Sequence, residues 1–183
     1  RLVFVGDGPS RNDLLRQAGE RRVPITLVGQ VPHEHVPAYL AVMDAVAGRY
    51  GKIDGIIHGA GVLRDGFLSH MTPDDFSMVM DVKFLGAWNL FSSAEKAGLK
   101  FFVGLSSVAA IQGNPGQANY SAANRTMSAL LRTLHRKNSA IRFKALMLPP
   151  VEGTGMAEDP ELLALLKQKG VAFIHVNELA GLF

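Results

Sequence analysis

The sequence predicts a doubly wound parallel α/β sheet. Three observations carry that expectation: apolar runs of strand length recur along the chain, segments of helical periodicity separate them, and a turn-rich loop follows one run at its C-terminal end, where open α/β sheets place their ligands. The runs are Leu2 to Val5, Ile25 to Val28, Ile53 to Ile57, Phe101 to Leu105 and Phe143 to Leu148. Their continuity suits strands buried on both faces. The loop is Gly113-Asn114-Pro115-Gly116.

Between the third and fourth runs, Thr72 to Gly98 reads as the clearest helix. Thr72 suits an N-cap, Pro73 the first helical position, Asp74 and Asp75 the positive end of the helix dipole, and Gly98 the close. Its apolar stripe runs Phe76, Met80, Ala87, Leu90 and Ala94, and Lys83 fills the gap three after Met80 and four before Ala87. A lysine aimed at a core needs an acceptor or an ionic partner. A second helix is expected from near Tyr120, with Ala123, Met127, Leu130, Leu131 and Leu134 on one face and Asn124 one turn after Tyr120.

With 183 residues and 48% hydrophobic content, the chain suffices for one globular domain. No apolar run approaches the ~18 residues of a membrane span, and no signal-peptide pattern opens the chain, so the expectation is a cytoplasmic location and no membrane partner. The absence of cysteine excludes disulfides and thiolate metal sites, and a net charge of +3 without an arginine-rich tract argues against nucleic acid. His33-Glu34-His35 is read as a solvated loop and no metal site is expected, because i and i+2 do not share a helix face and no third ligand is near in sequence.

The chemistry-bearing residues fall in order. Reduction of a ketone by a hydride needs a proton donor for the developing alkoxide, a second hydrogen bond to the carbonyl, and a cation that lowers the donor's pKa; tyrosine, serine and lysine can fill these roles. Ser107 closes the strand beginning at Phe101, Tyr120 follows thirteen positions later, and Asn124 four after that. Any one of them alone is an ordinary cap or surface hydroxyl. Taken with Lys83 on the earlier helix, the set resembles the ketoreductase domain of type I polyketide and polyunsaturated fatty acid synthases, within the short-chain dehydrogenase/reductase superfamily. In that family the lysine comes from the helix before the serine, and asparagine takes the place after the tyrosine.

The resemblance covers about residues 49–183 and implies a Rossmann-like fold and further roles. His58-Gly59-Ala60-Gly61 is similar to the segment beside the cofactor, so Gly59, Ala60 and Gly61 are implied cofactor contacts, as are Pro150 and Thr154 in the segment Pro149-Pro150 to Gly153-Thr154-Gly155-Met156. Leu63-Arg64-Asp65 resembles the fingerprint of ketoreductases that give the B-type (D) hydroxyl. Asp65 matches its last position, and Gln112 stands where the opposite class has tryptophan. Met156 leads into an implied substrate lid at residues 157–170. The implied cofactor is NADPH, and the implied partners are a β-ketoacyl thioester on an acyl carrier protein and other synthase domains in the parent chain. Arg125, Arg132, Arg136, Lys137, Arg142 and Lys144 form a basic region that suits an acidic carrier protein or simply solvent.

The first stretch departs from that pattern. Gly6-Asp7-Gly8-Pro9 lacks the third glycine of a pyrophosphate turn, Gln30-Val31-Pro32 lacks an adenine-contacting aspartate, and Phe183 precedes the family's last helix and strand. Part of the first βα unit and the last strand are therefore expected to be missing. If Leu2 to Val5 is the family's second strand, Asp7 replaces the arginine that holds the NADPH phosphate, which favours NADH. Residues 2–47 also resemble the nucleotide-sugar half of retaining glycosyltransferases, so a junction near 48 is one reading, beside a trimmed or gapped domain. The expected function is NAD(P)H-dependent reduction of a β-ketoacyl thioester, with Lys83, Ser107, Tyr120 and Asn124 as the catalytic set. The alternative is a non-catalytic truncated or chimeric scaffold that binds no dinucleotide.

Overall fold

The computed structural model describes residues 2–5, 11–22, 25–28, 36–152, 164, 167–168 and 170–175. All its strand pairings are parallel. Strands β1 (Leu2–Val5) and β2 (Ile25–Val28), joined through helix α1 (Arg11–Glu20), pair from Leu2 with Ile25 to Val5 with Val28. After helix α2 (Val36–Tyr50) comes a three-stranded sheet in the order β3 (Gly55–His58), β4 (Phe101–Ser107) and β5 (Arg142–Leu148). Two short strands, β6 (Val151–Glu152) and β7 (Ile174–His175), pair beyond it.

Between β3 and β4 run α3 (Pro73–Met80), a π-turn (Asp81–Leu85) and α4 (Gly86–Ala94); between β4 and β5 run α5 (Ala109–Gln112) and α6 (Ala118–Lys137). The start of α3 follows from sequence as expected. Thr72 Oγ1 accepts from the Asp75 N–H at 3.1 Å while the Asp75 carboxylate accepts from the Thr72 N–H at 3.3 Å, a reciprocal capping box.

The expected uninterrupted helix to Gly98 is instead broken in register by the π-turn and ends at Ala94. An inserted residue shifts the hydrogen-bond step from four to five while leaving the apolar stripe at steps of three and four, so periodicity does not reveal it. The start of α6 is two residues earlier than expected. Strand β3 is Gly55–His58, later than expected; just before it the Asp54 carbonyl accepts from the Lys100 N–H at 2.8 Å, and the Asp54 carboxylate pairs with Lys52 and Lys100 in solvent.

The core lies on one face of the β3–β5 sheet. Ile56, Phe102 and Phe143 meet Ala87, Phe91 and Ala94 of α4 and Met127, Leu131 and Leu134 of α6, with Met43 of α2 behind α4. Gly104 lets α6 come this close: a Cβ there would stand 2.7 Å from Leu131 Cδ1 and 3.1 Å from Met127 Cε. The core of described residues lies on this face, and Val103 and Leu105 of the other face are half-buried. There, too, Ile57 and Phe101 are exposed among the described residues.

Candidate functional site

Ser107, Tyr120, Asn124, Lys83 and Gly59 to Gly61 stand at the C-terminal ends of the neighbouring strands β3 and β4 or beside them, whereas Gln112 does not. Ser107 is the last residue of β4, half-buried, and its hydroxyl accepts from the Ala109 N–H at 3.2 Å. Tyr120 is in the first turn of α6. Burial raises its phenol above the ordinary value, the Ser107 hydroxyl and the Asn124 amide pull the other way as hydrogen-bond partners of the phenolate, and the nearby Asp65 carboxylate raises it again. The Ser107, Asn124 and Asp65 side chains thus all act on the Tyr120 phenol.

Asn124 is fully buried. Its Nδ2 donates to the Tyr120 carbonyl at 2.9 Å, and its Oδ1 has no donor among the described residues. The strand end carrying Ser107 is fixed to α6 by a buried polar link one residue earlier. Ser106 Oγ lies 2.9 Å from Ser128 Oγ, and Ser128 Oγ donates to the Asn124 carbonyl at 2.8 Å.

Lys83 is buried, as its place in the apolar stripe requires, and the acceptor it needs is the Leu105 carbonyl, 2.8 Å from Nζ. Burial lowers its ammonium to about 8. The ammonium bonds the β4 backbone, and the phenol is raised first by its own burial. Gly61 makes the room, since a Cβ there would lie 3.2 Å from Lys83 Cε and 3.5 Å from Nζ. Gly59 and Ala60 are exposed at the end of β3, and Pro150 follows β5, half-buried. Asp7, Thr154 and Met156, with the loop His33 to His35 and most of the expected lid, lie outside the described residues.

Asp65 sits in the loop after β3, and this loop is stitched to the one before α6. The Gly66 N–H donates to the Gly116 carbonyl at 2.7 Å, and Gln117 Nε2 donates to Asp65 Oδ2 at 2.7 Å. Asn119, fully buried, donates to the Arg64 carbonyl at 2.7 Å and accepts from the Tyr120 N–H at 2.7 Å. Sequence reasoning misses Gln117 and Asn119. Asn119 does carry a signal, because it lies four before Ala123 and eight before Met127 on the inward stripe of α6. Gln112, by contrast, ends α5 exposed to solvent, and its backbone N–H donates to the Val108 carbonyl.

Comparison with known proteins places this geometry. A family model described as the KR domain matches residues 14–152. A polyunsaturated fatty acid synthase from Thraustochytrium sp. is 36% identical over 134 residues, 73% of this chain and 5% of that protein. The crystal structure of a ketoreductase domain from the bacillaene assembly line superposes with a TM-score of 0.79 and 28% identity, over 99% of this chain and 45% of that one. A short-chain dehydrogenase from Burkholderia cenocepacia J2315, in complex with NADP, has a TM-score of 0.80 at 16% identity, over 100% of this chain and 87% of that one, a likeness of fold. The fold is thus Rossmann-like, of the short-chain dehydrogenase type. The chain spans 5–7% of the length of the curated relatives it matches.

Proposed function

The chain belongs to the KR domain family, the ketoreductase domains of polyketide and polyunsaturated fatty acid synthases, and from that premise we propose that it reduces a β-ketoacyl thioester carried on an acyl carrier protein to the β-hydroxyacyl thioester with NADPH. The observation that carries the reading is the convergence of Ser107, Tyr120 and Asn124 from two elements, with the buried Lys83 beside the same strand end.

The described residues fit the nicotinamide end of such a cofactor. Gly59, Ala60 and Gly61 offer a surface without side chains beyond one methyl, beside Leu105 and Lys83, and Pro150 follows β5. When bound, the cofactor supplies the hydride. If Leu2 to Val5 is the family's second strand, Asp7 would admit NADH as the alternative cofactor through repulsion of the 2′-phosphate, and Thr154 would join the nicotinamide contacts.

The chain's own residues supply the rest. The Ser107 hydroxyl donates to the substrate carbonyl oxygen and polarises it, and Tyr120 Oη gives its proton to that oxygen as it becomes an alkoxide. A phenol raised by burial is neutral and holds its proton at neutral pH, ready for donation. Lys83 and Asn124 re-supply the proton. The ammonium, lowered to about 8, releases protons near neutrality, and the free buried acceptor Asn124 Oδ1 supports a relay. Asp65, held by Gln117 close to the phenol, borders the substrate approach, and with Gln112 and Met156 it is assigned to the choice of face, giving the D-hydroxyl.

The test is titration of the chain with NADPH and NADH by nicotinamide fluorescence, with a UDP-sugar control, followed by turnover of a β-ketoacyl thioester. Saturable dinucleotide binding and a Tyr120→Phe variant that binds but does not reduce are expected. Turnover retained by that variant would refute the roles, and failure of a folded chain to bind dinucleotide would favour the non-catalytic scaffold.

A further inference from the structure

We infer that His58 is a positioning residue: its imidazole completes the hydrogen bonding of the Lys83 carbonyl inside the π-turn and so fixes where the Lys83 ammonium stands. The inference rests on the reductase reading for its catalytic readout, but its structural basis is independent of it. His58 ends β3, buried, its ring tilted against Phe102. Its Nε2 lies 3.2 Å from the Lys83 carbonyl oxygen. A carbonyl only accepts, so this nitrogen carries the hydrogen and donates.

The π-turn gives this carbonyl room for a second donor. At its end the Gly86 N–H reaches back to the Asp81 carbonyl, five residues earlier, with a second branch to Lys83 three residues earlier. The Lys83 carbonyl therefore takes only the second branch of a shared N–H where the hydrogen-bond step changes, and a buried carbonyl with lone-pair capacity to spare gains from a further donor. His58 serves the Lys83 carbonyl from the neighbouring strand. Gly86 admits the ring: a Cβ there would lie 3.3 Å from His58 Cε1.

Lys83 is thus held at both ends, its backbone by His58 of β3 and its ammonium by the Leu105 carbonyl of β4. Burial and the Lys83 charge push the imidazole down to about 4, so the neutral donor form persists across the working pH range. Gly61, which grazes the lysine side chain, is three residues on from His58, so one short segment both anchors the lysine and clears its path.

The experiment compares His58→Phe, which keeps a ring and removes the donor, with His58→Gln, which restores an N–H. Three readouts apply: amide hydrogen exchange over Asp81 to Trp88, kcat and KM for a β-ketoacyl thioester, and the pH profile of kcat. The Phe variant is expected to exchange faster in the π-turn, to lose about 10- to 100-fold in kcat with dinucleotide affinity unchanged, and to move the basic limb of the profile; Gln should recover most of each. Unchanged exchange in His58→Phe overturns the inference whether or not the chain is a reductase. So does a kcat loss that Gln does not rescue and that leaves the pH profile in place, since that is packing alone. Protected exchange lost in the Phe variant of a chain that reduces nothing would leave the positioning intact and remove the reductase reading instead.

Discussion

Replacing Lys83 by Met should stabilise the fold at neutral pH. The side chains are similar in length, and the change removes a charge held at 5% exposure with no carboxylate paired to it among the described residues. Burial lowers the folded-state pKa from 10.5 to about 8. Below pH 8 both folded and unfolded chains carry the proton, and the whole cost of burying the charge is present. Between pH 8 and 10.5 the unfolded chain binds more protons than the folded one, so wild-type stability rises with pH; above 10.5 the contribution vanishes. A drop from 10.5 to about 8 corresponds to about 3 kcal/mol. Against this stands the loss of the bond to the Leu105 carbonyl, worth about 1–3 kcal/mol if that carbonyl is left dry. The Met variant is therefore expected to be up to about 2 kcal/mol more stable than wild type at pH 6–7 and to lose about 3 kcal/mol of that relative stability by pH 10.5. Urea melts of both proteins at pH 6.5, 8, 9 and 10.5 measure it. A stability difference that does not change with pH over this range would refute the argument that Lys83 is a buried charge. Under the proposed function the same variant should also lose reduction, so that the position trades stability for activity.

Other consequences are smaller in scope. Gly104→Ala drives a methyl against Leu131 and Met127, both essentially unexposed, and should destabilise by about 1–3 kcal/mol, seen as a lower urea midpoint; an unchanged midpoint would mean that α6 rides looser on β4 than these contacts allow. Thr72→Ala breaks the capping box and should cost about 1 kcal/mol without altering dinucleotide binding, checked by thermal melting and fluorescence titration. Gln117→Leu removes the exposed bond to Asp65, so stability should change by less than about 1 kcal/mol while the hydroxyl configuration erodes in chiral analysis of the product; full retention of configuration would detach Asp65 from the choice of face.

How much is legible in the sequence depends on the range of the interaction responsible. Strands β1, β2 and β5 and the start of α3 follow from local apolar runs and a four-residue cap. The inward direction of Lys83 follows from its place among Met80 and Ala87, because helical spacing survives one inserted residue. The π-turn itself does not follow, for the same reason. Gln117 and Asn119 escape because their partners Asp65 and Arg64 are 52 and 55 residues away, and no local pattern encodes which polar loop residues will meet. In the sequence His58 is only the head of a glycine segment. What marks it is a ring at a buried strand position two after the buried Ile56, facing a carbonyl that only the folded π-turn exposes.

The buried Ser106–Ser128 link has an evolutionary side. Because it ties β4 to α6 directly, the gap between Ser107 and Tyr120 is set by that rivet and by the Gly104 contact, not by the ten residues that join the two elements. Much of that connection, Ile111 to Pro115, is exposed. It is thus a place where residues can be exchanged, to reshape what the site admits, without moving the two hydroxyls relative to each other. A scaffold built this way separates the part that must stay fixed from the part that can vary, and new substrate preferences can be sampled there at little risk to the chemistry.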